Sequence, residues 1–260
     1  MRYYVVTDVH GYYDRMIAAL EDKGYFTDTE PHKLVICGDL FDRGAQAIKM
    51  QEYITDLLDK DEVILIKGNH EDLIVEMIDN FYEYLPKMQF THHFHNGTYN
   101  TAVALTRMNK HDIECFPQRF VNTMRNTPYF KKIIPAMRDY FETDNYIFVH
   151  GWIPCESVKY GRNEKRYFPM IGDWRGASAS EWELARWHNG MAAWKCGVVE
   201  EGKTIVCGHF HTSWGHSVID GKCTEWGPDA DFSPYIKKGI IALDGATAFT
   251  KNVNCVVIDD

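Results

Sequence analysis

Short apolar runs rich in Val, Ile and Tyr recur along the chain, and each has the length of a buried β-strand. The five clearest runs lie at residues 3–7, 33–37, 63–66, 146–149 and 204–207. Apolar residues spaced by three and four follow the first three runs, and they predict amphipathic helices at residues 14–23, 45–58 and 73–84. This repeated strand–loop–helix order predicts an α/β fold with a mixed or parallel sheet behind the helices.

The rest of the chain is less regular. Its pattern predicts helices at 98–110, 116–125 and 181–188, a hairpin of strands 137–142 and 145–149, and strands at 239–243 and 252–258. No Pro/Ser-rich linker, low-complexity tract or fixed-period repeat interrupts the sequence. We therefore predict one domain over residues 1–260, with irregular insertions at about 86–130 and 155–195 that shape the substrate pocket.

Composition narrows the class of protein. The chain has 260 residues, 45% of them hydrophobic and 25% charged, which is typical of a globular protein and excludes a disordered or fibrous one. Its net charge of −9 argues against a long nucleic acid or an anionic membrane as partner, because both need clustered positive charge. The seven cysteines include no CxxC pair and predict reduced thiols. Since no signal peptide and no apolar run near the ~20 residues of a membrane span are visible, we expect a cytoplasmic protein.

Metal-compatible side chains follow the predicted strands. Seven of them lie within a few positions of a strand's carboxyl end: Asp8, His10, Asp39, Asn69, His150, His209 and His211. Such strand ends converge on one edge of an α/β sheet, where ligands bind. The mixture of carboxylate, amide and imidazole suits a pair of borderline divalent cations, and one carboxylate can bridge both ions. Any one motif alone is more often a turn or a structural histidine, but five together predict a binuclear metal site.

The five clusters also carry a family resemblance. They read DVHG at 8–11, GDLFDRG at 38–44, GNHE at 68–71, HG at 150–151 and GHFH at 208–211. In this order they resemble the signatures of the calcineurin-like metallophosphoesterases, and within these the phosphoprotein phosphatase branch. NGTYNT at 96–101 and IALDG at 241–245 are similar to segments of bacterial dinucleoside-tetraphosphatase-like members. The resemblance runs nearly end to end and implies a four-layer αββα sandwich with two mixed sheets.

The resemblance further implies how the ligands divide between two divalent metal ions. One ion would be held by Asp8, His10, Asp39 and His211, and the other by Asp39, Asn69, His150 and His209. Mn²⁺ is the expected metal, with Fe²⁺ or Fe³⁺, Zn²⁺ and Ni²⁺ as alternatives. Two such ions acidify a bridging water and clamp the phosphoryl oxygens during hydrolysis.

The motifs also supply groups that act on the phosphate. Arg43 has a planar guanidinium suited to bidentate contact with phosphate, and Asn69 is expected to bind phosphate as well. By the resemblance, His70 protonates the leaving oxygen while Asp42 orients its ring. The reaction needs a proton donor of near-neutral pKa opposite the nucleophile, and histidine suits that requirement.

Arginines outside the motifs could add a second phosphate clamp. Arg175 is the best candidate because it lies in the variable insertion, although a solvated surface arginine beside a buried tryptophan is the alternative. Arg162, Arg166 and Arg186 have weaker cases.

Two further groups of residues are open to more than one interpretation. The aromatic residues of the second insertion could stack on adenine or form the insertion's own small core, which we favour: Trp152, Trp174, Trp182, Trp187, Tyr160 and Tyr167. Trp152 directly follows the HG motif and is also expected to narrow the pocket. His92, His93 and His95 are expected to be partly exposed loop residues, because their spacing does not converge on one point without a special loop.

The sequence therefore predicts a binuclear metal-dependent phosphoesterase that hydrolyses phosphomonoesters with a metal-bridging hydroxide and resembles a phosphoprotein Ser/Thr phosphatase. The alternative substrate is a dinucleoside tetraphosphate, cleaved symmetrically at a phosphoanhydride. A non-catalytic binding protein on the same fold is disfavoured, because no expected ligand position is lost. The expected partner is a phosphorylated protein, nucleotide or small ester, and the sequence does not indicate an oligomeric state.

Overall fold

The computed structural model describes residues 1–160 and 164–260. Its strands are β1 (Arg2–Val6), β2 (His32–Cys37), β3 (Val63–Ile66), β4 (Phe141–Glu142), β5 (Tyr146–Phe148), β6 (Cys155–Tyr160), β7 (Glu164–Pro169), β8 (Thr204–Cys207), β9 (Tyr235–Lys237), β10 (Ile240–Ala242) and β11 (Cys255–Asp259). Its α-helices are α1 (Tyr13–Asp22), α2 (Ala47–Asp59), α3 (Asn69–Asp79), α4 (Phe81–Tyr84), α5 (His92–His95), α6 (Thr98–Thr106), α7 (Lys110–Cys115), α8 (Pro117–Arg125), α9 (Ile134–Ala136), α10 (Ala179–Ala185), α11 (Gly190–Lys195), α12 (Thr212–Trp214) and α13 (Thr247–Thr250). Short 3₁₀-helices lie at Tyr25–Thr27, Leu85–Phe90 and Trp174–Gly176, and π-helical turns at Tyr129–Ile133 and Gly215–Ile219.

The strands form two mixed sheets and a separate hairpin. The first sheet has the order β11-β1-β2-β3, in which β1, β2 and β3 are parallel and β11 is antiparallel. The second has the order β4-β5-β8-β10-β9, with three parallel strands in the middle and an antiparallel strand at each edge. β6 and β7 pair only with each other among the described strands.

The two sheets pack face to face. Side chains alternate between the faces of a strand, and in β1 Tyr3 and Val5 point into a core shared with Phe148 of the second sheet. Tyr4 and Val6 point the other way, into a core shared with the first group of helices. Because β1 is buried on both faces, its sequence is a continuous apolar run rather than an alternating one.

Helices cover both outer faces. Helices α1, α2, α3, α6 and α8 bury Met16, Met50, Met77, Ala102 and Phe120 against the first sheet. Helices α10 and α11, together with β7, bury Trp182, Met191 and Tyr167 against the second sheet. The order helix–sheet–sheet–helix is the four-layer αββα sandwich that the resemblance implied, so this prediction is confirmed.

Hydrogen bonds bring the carboxyl ends of strands from both sheets to one edge. Asp8 N donates to Gly38 O at 3.2 Å, which joins the ends of β1 and β2. Gly208 N donates to His150 O at 2.7 Å, which joins the ends of β5 and β8. His150 Nδ1 lies 2.8 Å from Cys37 O and connects the two sheets. All five predicted polar clusters therefore meet at this edge.

Several elements differ from the sequence-based expectation. The predicted helix 73–84 is two helices, and the first begins at Asn69, inside the GNHE motif. The predicted strand 137–142 is reduced to Phe141–Glu142, because Arg138 makes a single bridge to Ile66 of the other sheet. Hairpin β6–β7 was not predicted, because its charged and largely exposed residues lack an apolar alternation.

The single domain with two insertions stays a prediction. Within the described part of the chain, no helix combines the length and apolar character needed to span a membrane.

Candidate metal centre and active site

The loops at this edge adopt a backbone conformation that most residues avoid. Ten non-glycine residues of the described chain have positive φ, and six of them belong to the sequence-predicted site: Asp8, His10, Asp39, Asp42, Arg43 and His209. Their φ values lie between 49° and 69°, in the left-handed region. Such strain persists only where surrounding structure fixes it, and it clusters at functional sites.

Two glycines allow these loops to approach one another. A Cβ at Gly38 would lie 2.5 Å from His150 Nδ1, and one at Gly68 would overlap the Asp39 carboxylate. Gly38 also has a φ of 81°, which favours glycine for conformational reasons. The glycines of the GD and GNHE motifs thus make room for the polar side chains.

Asp39 lies at the centre of the cluster and is buried. Its Oδ2 lies 3.7 Å from His10 Nε2 and 3.8 Å from His70 Nε2. Its Oδ1 accepts a hydrogen bond from His70 N at 3.1 Å and lies 3.4 Å from His150 Nε2. Asp39 therefore belongs to two groups of closely spaced potential ligand atoms, one with His10 and His70 and one with His150 and His209.

Backbone carbonyls orient two buried histidines of the predicted ligand set. His10 Nδ1 lies 3.1 Å from Phe41 O, and His150 Nδ1 lies 2.8 Å from Cys37 O. Each contact holds the ring so that Nε2 faces Asp39, and such carbonyl partners are typical of metal-binding histidines. His150 Nε2 also lies 2.9 Å from Asn69 Oδ1, so the amide faces the same space.

Burial shifts the pKa values of several side chains of the predicted ligand set. Burial lowers the pKa of His209 to about 3 and that of His10 well below its ordinary value. Burial also raises the pKa of Asp8, which accepts a hydrogen bond from His209 N at 2.9 Å. Neutral imidazoles with free lone pairs are the form that binds metal ions.

His70, Asp42 and Arg43 form a hydrogen-bonded group beside Asp39. His70 Nδ1 lies 2.7 Å from Asp42 Oδ2, and the Arg43 guanidinium lies 3.1 Å from His70 Nε2 and 3.0 Å from His10 Nε2. Burial lowers the pKa of His70, but the Asp39 charge and the Asp42 hydrogen bond outweigh burial and raise this pKa to about 9. The pKa of His70 is thus raised, in contrast to the lowered pKa values of His10 and His209.

Comparison with known proteins agrees with this geometry. A family model described as calcineurin-like phosphoesterase matches residues 1–213 of the chain. The chain belongs to the calcineurin-like phosphoesterase family. This calcineurin-like phosphoesterase is therefore a hydrolase that acts on phosphate esters, and the prediction of the family and the reaction class is confirmed.

Several relatives of the phosphoesterase carry names of nucleotide hydrolases. Bis(5'-nucleosyl)-tetraphosphatase PrpE (asymmetrical) of Bacillus velezensis is 27% identical over 219 residues, which cover 80% of this chain and 77% of the relative. A symmetrical bis(5'-nucleosyl)-tetraphosphatase of Buchnera aphidicola is 38% identical over 71 residues, or 27% of this chain and 24% of that one. Among solved structures, the cold-active protein tyrosine phosphatase of a Shewanella species superposes with a TM-score of 0.53 at 17% identity. That match covers 100% of this chain and 75% of the other, and it supports the fold.

The donor set of the phosphoesterase fits divalent metal ions, which the family uses. Asp8 and Asp39 are buried, and no lysine or arginine ion pair neutralises either carboxylate among the described residues. Buried carboxylates that no lysine or arginine neutralises favour a metal cation beside them. The imidazoles of His10 and His209, whose pKa values burial lowers, lie beside these carboxylates together with His150, and this mixture suits borderline ions.

Three residues that support the site had no role assigned from the sequence. Glu71 is buried and accepts hydrogen bonds from Gly68 N, Asp39 N and Leu40 N at 2.8–3.0 Å, so it fixes the GD loop against the GNHE loop. The Thr98 hydroxyl donates to Asp42 Oδ2 at 2.7 Å, and Asp42 N donates to Thr101 Oγ1 at 3.0 Å. The signals for these residues were present, because Glu71 ends GNHE and both threonines lie in the NGTYNT segment.

Asp244 is a further carboxylate near the centre that the sequence did not single out. It is buried, and burial together with the charge of Asp8 raises its pKa well above the ordinary value. Its Oδ1 accepts a hydrogen bond from Ala246 N at 2.8 Å. Its position in the IALDG segment was the only sequence signal.

His211 is turned toward a different partner. Its Nε2 lies 2.9 Å from Glu225 Oε1, and its ring lies 4.3 Å from that of Trp226. Among the described residues it does not join either group of closely spaced ligand atoms around Asp39. A ligand role for His211 stays a prediction.

The arginines outside the motifs have structural partners. Arg175 binds Glu142 and also pairs with Glu200 at 2.9 Å and Asp173 at 3.1 Å, so the contacts of its guanidinium do not involve the ligand cluster. Arg186 is buried and pairs with Asp72 at 2.6 Å and Asp139 at 2.7 Å. Arg166 lines a groove described below, and Arg162 lies outside the described residues. The use of Arg175 as a phosphate clamp stays a prediction.

Most aromatic residues of the second insertion are buried, but in a core shared with the second sheet rather than in a separate core of the insertion. Trp152, Trp174, Trp182 and Tyr167 are buried in the core behind the second sheet. Trp152 therefore does not narrow the pocket, because its ring lies in this core and its Nε1 donates to Val198 O at 3.0 Å. Trp187 differs, since it is 44% exposed and its ring lies 5.6 Å from that of His209. The side chain of Tyr160 lies outside the described part.

Proposed function

We propose that this phosphoesterase hydrolyses phosphomonoesters, with phosphorylated Ser or Thr side chains as the substrate class. The observation that carries the proposal is the buried His70–Asp42 pair, at 2.7 Å, beside Asp39 and Arg43. An alkoxide is a poor leaving group, so an ester of Ser or Thr needs a proton donor at the leaving oxygen. A protonated, oriented imidazole next to the ligand cluster meets that need.

Two divalent ions complete the proposed site. One would be held by Asp8, His10, Asp39 and His211, and the other by Asp39, Asn69, His150 and His209. When bound, such ions supply an acidified water as nucleophile and positive charge for the phosphoryl oxygens. We favour Mn²⁺ because this set combines the oxygen ligands of carboxylates and an amide with the nitrogen ligands of imidazoles. A cytoplasmic location is likewise our expectation.

The side chains of the DRG and GNHE motifs would then handle the phosphate and the proton. Two guanidinium nitrogens of Arg43 lie beside His10 Nε2 and His70 Nε2 and would turn toward two phosphoryl oxygens of a bound substrate. Asn69 would add its amide to the phosphate site. His70 would give its Nε2 proton to the leaving oxygen, while Asp42 keeps the ring oriented and stabilises the imidazolium through Nδ1.

The test compares two leaving groups in the His70→Asn variant. A phosphothreonine peptide needs protonation of its leaving oxygen, whereas p-nitrophenyl phosphate leaves as a stable phenolate. We expect kcat to fall about 10²–10⁴-fold on the peptide and far less on the aryl ester. His95→Ala, an exposed histidine on α5, is the control. Equal losses on both substrates, with metal content unchanged, would contradict the general-acid role.

A second candidate is hydrolysis of a dinucleoside tetraphosphate, which the names of the relatives favour. One structural observation supports it as well: a groove of about 590 Å³ adjoins the ligand His209. Its lining includes Trp187, Phe210, Lys165 and Lys195. Exposed aromatic rings stack on nucleobases and lysines attract phosphates, so the groove suits a nucleotide.

Parallel kinetics separate the two substrates. We would measure kcat/KM for a phosphothreonine peptide and for diadenosine tetraphosphate with Mn²⁺, and identify the nucleotide products. AMP with ATP would indicate asymmetrical cleavage, and ADP alone symmetrical cleavage. If the groove binds a base, Trp187→Ala lowers kcat/KM for the dinucleotide by about 5- to 160-fold, since a stacked base contributes ~1–3 kcal/mol. Phe90→Ala, an exposed aromatic change outside the groove, is the control.

A further inference from the structure

A second group of potential metal ligands lies outside the main centre, between helices α3 and α5. Glu76 Oε2 lies 3.6 Å from His92 Nε2 and 4.0 Å from His93 Nε2. The three ligand atoms all lie within 4.8 Å of one another. Spacing along the chain did not predict this convergence, because the third ligand comes from α3 and His95 is not part of the group.

His93 is the unusual member of the group. Its side chain is fully buried, and neither ring nitrogen has a hydrogen-bond partner within the described structure. Buried polar side chains nearly always have a partner, so an imidazole with two unsatisfied nitrogens needs an explanation. Burial lowers the pKa of His93 to about 4, which leaves the ring neutral and its lone pair free at pH 7.

We propose that Glu76, His92 and His93 bind a divalent ion of the Zn²⁺ type at a site separate from the main metal centre. Ligands at Zn–N and Zn–O distances near 2.0–2.1 Å stand about 3.3 Å apart in a tetrahedron. The separations of 3.6 and 4.0 Å between Glu76 Oε2 and the two imidazole Nε2 atoms therefore need only small side-chain movements. One carboxylate and two neutral imidazoles are a common Zn²⁺ donor set, and water completes it where the site is exposed.

The surroundings of the group also resemble those of metal sites. The Tyr84 hydroxyl donates to Glu76 Oε1 at 2.5 Å and leaves Oε2 facing the histidines. Such outer hydrogen bonds orient the ligands of bound metals. Thr91 caps α5 by accepting a hydrogen bond from Phe94 N, which fixes the helix turn that carries both histidines.

The proposed ion would stabilise the segment that supports the His70–Asp42 pair. Helix α5 leads directly to Gly97, whose added Cβ would lie 2.5 Å from Arg43 N, and to Thr98, which donates to Asp42. An ion that links α3 to α5 would therefore restrict the movement of the segment that contacts Asp42 and Arg43. Its role is structural, because its ligands do not contact the main ligand cluster in the described contacts.

Zinc content of the full-length chain tests the proposal. The metal-stripped protein is dialysed against buffered free Zn²⁺, and bound zinc per chain is measured by mass spectrometry for wild type, His92→Ala, Glu76→Gln and His95→Ala. We expect wild type and His95→Ala to bind one equivalent more than the other two variants. His92→Ala should weaken Zn²⁺ at this site by at least about 100-fold, since loss even of an outer partner costs 10–100-fold.

The design keeps the proposal falsifiable. His92 and Glu76 are partly exposed, so both changes are compatible with folding, and circular dichroism checks each variant. If either variant is unfolded, the other decides the outcome. Equal zinc stoichiometry in all four proteins would overturn the site. Co²⁺ substitution provides a second readout, because a tetrahedral absorption component lost in His92→Ala but retained in His95→Ala supports it.

Discussion

The loops at the strand ends and the 155–195 segment use polar residues in opposite ways. Asp8 and Asp39 are buried without a lysine or arginine ion pair among the described residues, and their loops hold positive φ angles. In the 155–195 segment, Arg175 and Arg186 each bind at least two carboxylates. The buried carboxylates of the first region lack a cationic side-chain partner, which suits the proposed metal ions. These two arginines of the second region are engaged in ion pairs that stabilise the fold.

The largest expected effect comes from a change in the first region. Asp8→Asn should lower kcat/KM by about 10³-fold or more, because the carboxylate of a proposed metal ligand is lost. The free energy of unfolding of the metal-stripped chain should rise or stay constant, since burial raises the pKa of Asp8 and disfavours its charge. Steady-state kinetics checks the loss of kcat/KM, and urea unfolding checks the stability of the metal-stripped chain.

Asp61→Asn is the matched control for this variant, because Asp61 also has a positive φ, 56°, but is exposed. It should leave both kcat/KM and stability nearly unchanged. A clear loss of stability in the metal-stripped Asp8→Asn protein would mean that the carboxylate is part of the folding framework, and the contrast between the regions would fail.

The second prediction concerns the buried arginine of the other region. Arg186→Met removes the ion-pair partner of Asp139 and one of the two partners of Asp72, which keeps Lys67, and should lower the free energy of unfolding by about 2–3 kcal/mol. Activity at saturating substrate should change little. Urea unfolding of Arg125→Met provides the control, since the exposed Arg125–Asp79 pair contributes at most ~1 kcal/mol. A similar loss of unfolding free energy in the two variants would show that the burial of Arg186 does not increase the stability contributed by its ion pairs.

The third prediction is a pH dependence of stability in the same region. Burial lowers the pKa of His188 from 6.5 to about 4, so the unfolded chain takes up a proton at higher pH than the folded chain. The free energy of unfolding should therefore fall as pH drops from 6.5 toward 4, by about 2 kcal/mol at pH 5 from this group. The neutral isostere His188→Phe should lose that part of the pH dependence. If the free energy of unfolding of wild type and of His188→Phe changed in parallel between pH 7 and pH 5, the pH dependence would not come from His188.

The smallest effect tests the support of the general acid. Thr98→Val removes the hydrogen bond to Asp42 and should lower kcat on a phosphothreonine peptide about tenfold, or ~1.4 kcal/mol. The loss of kcat on p-nitrophenyl phosphate should be smaller, as expected for the His70→Asn variant. Thr106→Val at the other end of α6, where the hydroxyl bonds only helix carbonyls, is the control. Equal losses on both phosphates would assign Thr98 a purely structural role.

Much of the fold followed from local sequence. The apolar runs predicted β1, β2, β3, β5 and β8 to within about one residue at each end, because strands buried on both faces have no alternation to obscure them. Hairpin β6–β7 and the shortened β4 were not predicted, because exposed charged strands and single bridges carry little periodic signal.

The sequence by itself determined the family, the chemistry and the contiguous motifs, since each ligand loop directly follows a strand and needs only short-range order. Tertiary structure decided the rest: that Asp39 faces two ligand groups, that Glu71 and Thr98 hold the loops, and that Arg175 pairs with carboxylates of other elements. It also decided that His93 lies buried beside Glu76. Each of these contacts joins residues from different elements, and burial, hydrogen bonding and charge at such contacts depend on packing that no local pattern records.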